Sequence, residues 1–213
     1  MNMARGLFLT FEGIDGCGKT TQLDLLAEQL RGAGHDVVET VEPGGTEAGR
    51  AIRAILLDPR HNALMARTEL LLYFASRAQN VSEVILPALE RGAIVLCDRF
   101  TDSTIVYQGA GRGLDPTTIL ELHRIACGEI FPDLTILLDI DTETSLARAR
   151  ARNLETGSGE TRLDDEGGAF FDRVRAGYLR LAAAEPKRIR MVNARGPVEV
   201  VAQDIWKEVN AIV

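Results

Sequence analysis

Five short apolar runs recur along the chain and separate longer stretches that have a helical pattern. The runs are rich in β-branched and aromatic residues and lie at 7–11, 36–41, 93–97, 134–138 and 189–192. Between them, helical stretches are predicted at 46–57, 67–89, 142–152 and 167–184, with further helix starts near Pro116 and Pro197. This alternation favours an α/β fold in which a five-stranded parallel sheet is flanked by helices.

The length and the continuity of the chain indicate one domain. It has 213 residues, enough for one well-buried α/β core, and no linker rich in proline, glycine or serine divides it. We therefore expect a single domain over 1–213. No window is apolar enough to span a membrane, and the first six residues lack the features of a secretory signal, so we expect a cytoplasmic protein without a membrane partner.

Charge and cysteine content exclude two further classes of function. The formal net charge is −7, which argues against nucleic acid as a partner, because proteins that bind the phosphate backbone usually carry a basic stripe. The three cysteines, Cys17, Cys97 and Cys127, are widely spaced and form no C-x-x-C pair. Neither a disulfide framework nor a zinc site is supported, and we expect small, partly buried thiols.

Residues 13–20 form a complete G-x-x-x-x-G-K-T phosphate-binding loop, placed between the first apolar run and a helical pattern. Glycines allow the backbone N–H groups to turn toward phosphate oxygens, and the N-terminus of the following helix adds partial positive charge. Lys19 is expected to reach the β- and γ-phosphates, and the Thr20 hydroxyl to bind Mg²⁺. The candidate ATP-binding residues are Gly13, Ile14, Asp15, Gly16, Cys17, Gly18, Lys19, Thr20 and Thr21.

Charged residues follow two other predicted strands, at the sheet edge where open α/β folds bind ligands. Glu42 follows the second apolar run, and Asp98 and Arg99 follow the third. Asp98 is a candidate metal ligand beside Thr20, with turn capping as the alternative. Arg99 has a planar fork suited to phosphate oxygens, with a surface ion pair as the alternative.

Tyr73 and Arg77 lie four positions apart in a predicted helix and so share one face. An aromatic plane and a guanidinium on one face suit a nucleotide base. Taken alone, however, an aromatic residue at helical spacing is more often part of a core.

Arginines cluster at 148–162 around a polar stretch. Arg148, Arg150 and Arg152 alternate with alanine, and Arg162 follows Gly157-Ser158-Gly159. The composition is typical of a mobile lid that neutralises phosphoryl charge and excludes water, with a solvated helix end as the equally weighted alternative.

Together these motifs resemble the thymidylate kinase family of the bacterial kind. The resemblance runs from about Leu7 to Trp206 and is carried by the segments 11–22, 42–46, 98–100 with Ser103, Tyr107 and Gln108, and 170–179. It implies a P-loop NTPase fold with a lid at about 148–166. The implied reaction transfers the γ-phosphoryl group of ATP to dTMP, giving dTDP and ADP with Mg²⁺, and the implied assembly is a homodimer.

The resemblance also implies roles for individual residues. Lys19, Arg99, Arg152 and Asp15 are the catalytic candidates, and Thr20 and Asp98 the metal-binding ones. Arg99 and Arg53 would bind the acceptor phosphate, Asp15 would lie near the sugar 3′-hydroxyl, and Tyr107 would lie against the sugar. Tyr73 and Arg77 would contact the base. The implied substrate-binding set is Glu42, Arg53, Tyr73, Arg77, Arg99, Ser103, Thr104, Tyr107 and Gln108.

Some members of this family carry a catalytic arginine in the phosphate loop, and others carry it in the lid. Gly16 occupies the loop position here, so Arg152 is the leading lid candidate, ahead of Arg148, Arg150 and Arg162. Three features depart from the family pattern: Val41 where an arginine is frequent, Tyr73 where a phenylalanine stacks on thymine, and a lid lengthened at 156–161.

Three other functions would use some of the same motifs. Another nucleoside monophosphate or small-metabolite kinase would share the phosphate loop and the arginines but differ in the base pocket. A nucleotide-gated binding module would use ATP as a switch without an acceptor. A P-loop GTPase is disfavoured, because no N-K-x-D segment is present and the D-x-x-G at 165–168 lies far down the chain.

Overall fold

The computed structural model describes residues 5–157, 162–163 and 166–213, and its centre is a five-stranded parallel sheet. The strands follow the order β2-β3-β1-β4-β5. This confirms the predicted sheet, and each predicted run matches a strand to within one residue at either end. The strands are β1 (Phe8–Glu12), β2 (Val37–Val41), β3 (Ile94–Asp98), β4 (Leu134–Asp139) and β5 (Ile189–Asn193).

Helices cover both faces of the sheet. They are α1 (Lys19–Gly32), α2 (Glu47–Leu57), α3 (Ala66–Asn80), α4 (Leu86–Glu90), α5 (Thr101–Thr104), α6 (Pro116–Cys127), α7 (Thr142–Thr156), α8 (Gly168–Ala184) and α9 (Val198–Val209). A 3₁₀ turn spans Pro59–His61. Within the described ranges, no helix combines the length and apolar character needed to cross a membrane.

Two stretches of wider π-helix alter the helical layout predicted from sequence. The stretch predicted at 67–89 consists of α3, a π-helical segment Val81–Ile85 and α4. A second π-helical segment, Ile105–Gly111, continues α5 and was not predicted. Its two glycines weaken the helical pattern in the sequence. The structure shows why one of them is a glycine: a Cβ on Gly111 would lie 2.6 Å from the Phe170 ring of α8.

The alternation of β1 divides the core between the two faces of the sheet. Leu9 and Phe11 belong to the larger cluster, which α1, α8 and α9 cover, whereas Phe8 belongs to the cluster on the opposite face. Cys17, Cys97 and Cys127 are free thiols, and all three are more fully buried than the sequence suggested. Because β1 and β3 are neighbours in the sheet, their carboxyl ends lie side by side.

His123 of α6 makes the stability of the fold depend on pH. Its ring is fully buried, 4.1 Å from the Phe131 ring centre, and its Nδ1 lies 2.8 Å from Thr101 Oγ1. Burial, reinforced by the charge of Arg77, lowers its pKa from 6.5 to about 4. Between these values the unfolded chain binds a proton that the folded chain does not, so stability falls as the pH drops below about 6.5.

We expect this histidine to contribute a loss of about 1–2 kcal/mol in the free energy of unfolding between pH 7 and pH 5. Urea unfolding at both values, compared with the His123→Leu variant, isolates the contribution from that of the carboxylates. The variant should lose less stability on acidification. An equal loss in both proteins would contradict the assignment.

Candidate active site

The loop between β1 and α1 curls around the side chain of Lys19. Gly16 and Gly18 adopt φ values of 84° and 96°, a conformation that favours glycine. The Lys19 ammonium donates to Gly13 O at 3.1 Å and to Ile14 O at 3.2 Å. An ammonium and the N-terminus of α1 therefore lie together at this loop, and both favour an anion there.

Helix α7 packs directly on this loop. Ser145 Oγ donates to Asp15 O at 2.6 Å, and a Cβ added to Gly16 would lie 2.1 Å from Ser145 O. A larger residue at position 16 would force α7 away from the loop. Position 16 therefore has no room for a long side chain such as arginine.

Thr20 and Asp98 bring two oxygen ligands together at the ends of α1 and β3. The Thr20 hydroxyl donates to Asp98 Oδ2 at 2.7 Å. Hydroxyl and carboxylate oxygens are the donors that Mg²⁺ prefers. Among the residues that the structure describes, no group of three or more His, Cys, Asp or Glu side chains could hold a metal ion.

Arg99 is held in an unusual backbone conformation at the end of β3. Its φ of 71° is the only positive value outside glycine in the described ranges, and its N–H donates to Phe11 O at 2.9 Å. Its guanidinium donates to Asp15 Oδ1 at 2.7 Å and to Ser103 Oγ at 3.0 Å. Burial opposes ionisation of Asp15, but Arg99 and Lys19 hold the pKa of that carboxyl below its ordinary value. Arg99 and Asp15 thus form a fixed charged pair beside the phosphate loop.

Glu12 contacts Ser103, which in turn contacts Arg99. It was not among the site residues predicted from the sequence. Its carboxylate is fully buried and accepts from Phe100 N at 2.8 Å, Ser103 Oγ at 2.6 Å and Tyr178 OH at 2.7 Å. Burial raises the pKa of Glu12. A glutamate ending an apolar strand was the available signal, since a buried polar group needs partners.

Arg77 lies in a second buried ion pair, against Glu42. Asn80 Nδ2 donates to Glu42 Oε1 at 3.1 Å, and Arg77 Nη2 donates to Thr104 Oγ1 at 3.1 Å. Burial raises the pKa of Glu42. Among the described residues, Arg77 Nη1 has no hydrogen-bond partner although it is buried. The hydrogen-bonding capacity of that nitrogen is therefore unused within the described residues.

Arg162 does not lie where a lid cation was expected. It is buried, its N–H donates to Leu57 O at 3.1 Å, and its guanidinium donates to Leu56 O and, at 2.6 Å, to Glu69 Oε2. Glu69 is a buried carboxylate of α3 that the sequence motifs did not single out. The pair joins residues 93 positions apart, which local pattern does not show.

These elements surround one cavity of about 590 Å³ at the carboxyl ends of the strands, which we call the strand-end cavity. The candidates that line it are Asp15, Lys19, Thr20, Glu42, Arg53, Tyr73, Arg77, Asp98, Arg99, Ser103, Thr104, Tyr107, Gln108 and Arg152. Val41 lines it too, beside residues without a predicted role such as Asn153, Thr156 and Leu163.

The remaining arginines of the expected lid differ in position. The exposed Arg152 guanidinium donates to Asn153 Oδ1 at 3.2 Å, at the rim of the strand-end cavity. Arg148 donates to Ala194 O at 3.3 Å, and neither it nor the exposed Arg150 lines the cavity. Within the expected lid and its lengthened part, 158–161 and 164–165 lie outside the described residues.

The arrangement can hold a polyphosphate and a second anion in one cavity. Lys19 and the loop form one anion site, and Arg99 and Arg53 line the same cavity nearby. Arg53 donates to Pro43 O at 2.9 Å. Tyr73 and Arg77 line this cavity too, with an aromatic ring and a guanidinium. Burial raises the pKa of Tyr73 to about 12, so its hydroxyl is neutral.

Known proteins that are similar to this chain in sequence and in fold share one description. The family model described as Thymidylate kinase matches residues 11–205. A thymidylate kinase from Geobacter sulfurreducens is 55% identical over 198 residues, 92% of this chain and 93% of the relative. One from Thermomicrobium roseum is 53% identical over 97% of this chain and 95% of its own. The crystal structure of thymidylate kinase from Ehrlichia chaffeensis aligns with a TM-score of 0.77 at 34% identity, covering 97% of this chain and 99% of the other.

Proposed function

Because the chain belongs to the thymidylate kinase family, with the function of phosphorylating dTMP to dTDP with ATP, we propose that the strand-end cavity is the place of this reaction. One observation carries the proposal. The phosphate loop with Lys19 opens on the same cavity as Arg99 and the base-sized pocket of Tyr73 and Arg77. A donor triphosphate and an acceptor nucleotide therefore fit end to end.

The ATP phosphates bind to residues 13–21, which comprise the phosphate loop and Thr21. The backbone N–H groups of the loop and the N-terminus of α1 face the phosphate oxygens, and Lys19 neutralises the β- and γ-phosphates. Gly16 lets α7 approach the loop, and α7 carries Arg152 to the cavity rim. Arg152 therefore supplies the guanidinium that the loop itself cannot carry.

The acceptor dTMP lies across the cavity, with its phosphate on Arg99 and Arg53. The planar fork of Arg99 suits two phosphate oxygens, and Asp15 fixes its orientation. The sugar would lie against Asp15 and Tyr107, whose hydroxyl donates to Asp15 Oδ2 at 3.1 Å. Ser103 and Thr104 complete the polar wall on this side.

The thymine base stacks on Tyr73 and accepts a hydrogen bond from Arg77. The unpartnered Nη1 of Arg77 matches a carbonyl oxygen on the base edge, and Glu42 holds the guanidinium in place. An aromatic ring of tyrosine gives the same stacking surface as the phenylalanine that the family resemblance leads one to expect.

The divalent metal that accompanies ATP is, we propose, Mg²⁺. The Thr20 hydroxyl and the Asp98 carboxylate fit this ion, because they are two oxygen donors already 2.7 Å apart beside the loop. When bound, Mg²⁺ draws charge from the phosphate oxygens as they become more negative.

The side chains position and stabilise rather than react. An oxygen of the dTMP phosphate attacks the γ-phosphorus, and the bond to the ADP oxygen breaks. Lys19, Arg99 and Arg152 compensate the charge that spreads over the phosphoryl oxygens in the transition state. No general base is required, because the acceptor phosphate has a second pKa of about 6 and is already an anion near neutral pH.

The test is ADP formation from ATP and Mg²⁺ with dTMP, dUMP, dCMP, dGMP, AMP or no acceptor, and with excess EDTA as a control. We expect strong preference for dTMP and loss of turnover in EDTA that added Mg²⁺ restores. Preference for another monophosphate would leave the phosphate chemistry but overturn the base pocket. ATP binding without any active acceptor would favour a nucleotide-gated switch.

We also propose a homodimer. Exposed apolar side chains on the neighbouring helices α3 and α6 support it, with Leu71 50% and Ile125 82% exposed, whereas Leu70 belongs to the core. Light scattering should give about twice the 23.2 kDa of one chain, and a mass of one chain would overturn the proposal. A cytoplasmic location stays a prediction from the sequence.

A further inference from the structure

Glu69 is a buried charge that the proposed mechanism does not use. Its Oε1 accepts from Gln108 Nε2 at 2.9 Å and from Arg112 Nε at 2.7 Å, and its Oε2 accepts from Arg162 Nη2 at 2.6 Å. Burial alone would raise the pKa of Glu69, but hydrogen bonds from Arg112 and Gln108 hold it below its ordinary value. Glu69 is therefore an ionised group that can only accept hydrogen bonds.

This carboxylate fixes which end of the Gln108 amide faces it. A glutamine amide has a donor NH₂ and an acceptor oxygen, and the two ends exchange when the amide turns over. Only the NH₂ can face an ionised carboxylate, so the carbonyl oxygen is left for another partner. Gln108 is buried and lines the strand-end cavity together with Tyr73 and Arg77.

The edge of a pyrimidine base carries the complementary pattern in only some nucleotides. Thymine and uracil present an N3–H donor beside the O4 acceptor. Cytosine presents an N3 acceptor beside an amino donor. The acceptor oxygen of Gln108 and the donor N–H groups of the Arg77 guanidinium match the first pattern and leave both groups unmatched against the second.

We infer that Glu69 is a positioning residue that sets pyrimidine specificity by preventing the Gln108 amide from turning over. The inference rests on the proposed function, in which the base lies between Tyr73 and Arg77. A free amide would adapt to cytosine by presenting its NH₂ group. The fixed amide makes the site selective for bases that carry an imide N–H.

The Glu69→Gln variant tests the inference, because the new amide can donate to Gln108 as well as accept from it. The readout is the ratio of kcat/KM for dUMP to kcat/KM for dCMP. Both substrates lack the thymine methyl group and differ only at the base edge, and the ratio does not depend on the amount of folded enzyme. We expect the ratio to fall about tenfold, since one buried hydrogen bond is no longer mismatched for dCMP.

A double-mutant cycle separates positioning from a general structural effect. In the Gln108→Leu background, Glu69→Gln should leave the ratio unchanged, because the amide it acts through is gone. Arg112→Lys is the matched control: it disturbs the same cluster but leaves Glu69 an acceptor, so the ratio should stay at its original value. An unchanged ratio in Glu69→Gln, or an equal fall in Arg112→Lys, would overturn the inference.

A second measurement uses the unaltered protein and holds even if Glu69→Gln does not fold. A crystal structure with dTMP should place the Gln108 amide within about 3.2 Å of N3, with its Nε2 still on Glu69. If the base binds in this pocket but its N3 contacts another group, the role of Glu69 is refuted and the proposed function is not. Absence of activity toward both dTMP and dUMP would instead refute the proposed function.

Discussion

Replacing Arg152 with alanine is expected to lower kcat by about three orders of magnitude while the Kd values for ATP and dTMP change little. Arg152 is exposed at the rim of the strand-end cavity, and its guanidinium donates only to the adjacent Asn153 in the described contacts. We expect its interaction with the phosphoryl group to be made mainly in the transition state, and removal of such an interaction lowers kcat rather than affinity.

Arg150→Ala is the matched control for this experiment. Arg150 is also exposed on α7, two positions away, but does not line the cavity. Single-turnover rates and equilibrium titrations of both variants separate chemistry from binding. An unchanged kcat in Arg152→Ala, or an equal loss in Arg150→Ala, would remove Arg152 from the mechanism.

Replacing Arg99 with alanine is expected to lower kcat/KM for dTMP by about three orders of magnitude. The guanidinium is proposed to hold the acceptor phosphate, and Asp15 and Ser103 fix its plane. Arg99→Lys should recover part of the loss, because a lysine keeps the charge but not the two parallel donors. ATP binding should be affected much less than dTMP binding, which calorimetric titration of each nucleotide measures.

The Arg99→Ala result needs a control for stability, because the change leaves Asp15 without its partner. Combining it with Asp15→Asn removes the unpaired charge. Asp15→Asn alone is the reference, because Asp15 is itself a proposed sugar contact. If dTMP turnover in the double variant falls far below that of Asp15→Asn, and both variants melt as the unaltered protein does, the role of Arg99 is supported. Similar dTMP affinity in Arg99→Ala and the unaltered protein would contradict it.

The sheet and the phosphate loop were predictable because their determinants are local. Each strand is a compact apolar run, and the loop spacing at 13–20 specifies its own backbone turn. The edge location of Asp98 and Arg99 followed from their position after a strand, because parallel strands end at one edge.

The missed features depend on contacts between distant parts of the chain. Gly111 lowers the helix propensity of 101–111, but only a residue without a Cβ fits against Phe170 of α8, a contact between distant parts of the chain. Glu12 binds Ser103 and Tyr178 across 91 and 166 positions, and Glu69 binds Arg162 across 93. Charge and position in the sequence suggested a lid cation at Arg162, whereas the structure shows it buried and paired with Glu69 of α3.

We propose that Lys19, Arg99 and Arg152 converge on a phosphoryl group passing from ATP to dTMP. A crystal structure of the protein with ADP, Mg²⁺, dTMP and aluminium fluoride, which mimics the transferring group, tests it most directly. We expect all three cations around the fluoride, with the dTMP phosphate on Arg99 and the base between Tyr73 and Arg77. A dTMP phosphate bound away from Arg99, or a fluoride group without contact to Arg152, would contradict it.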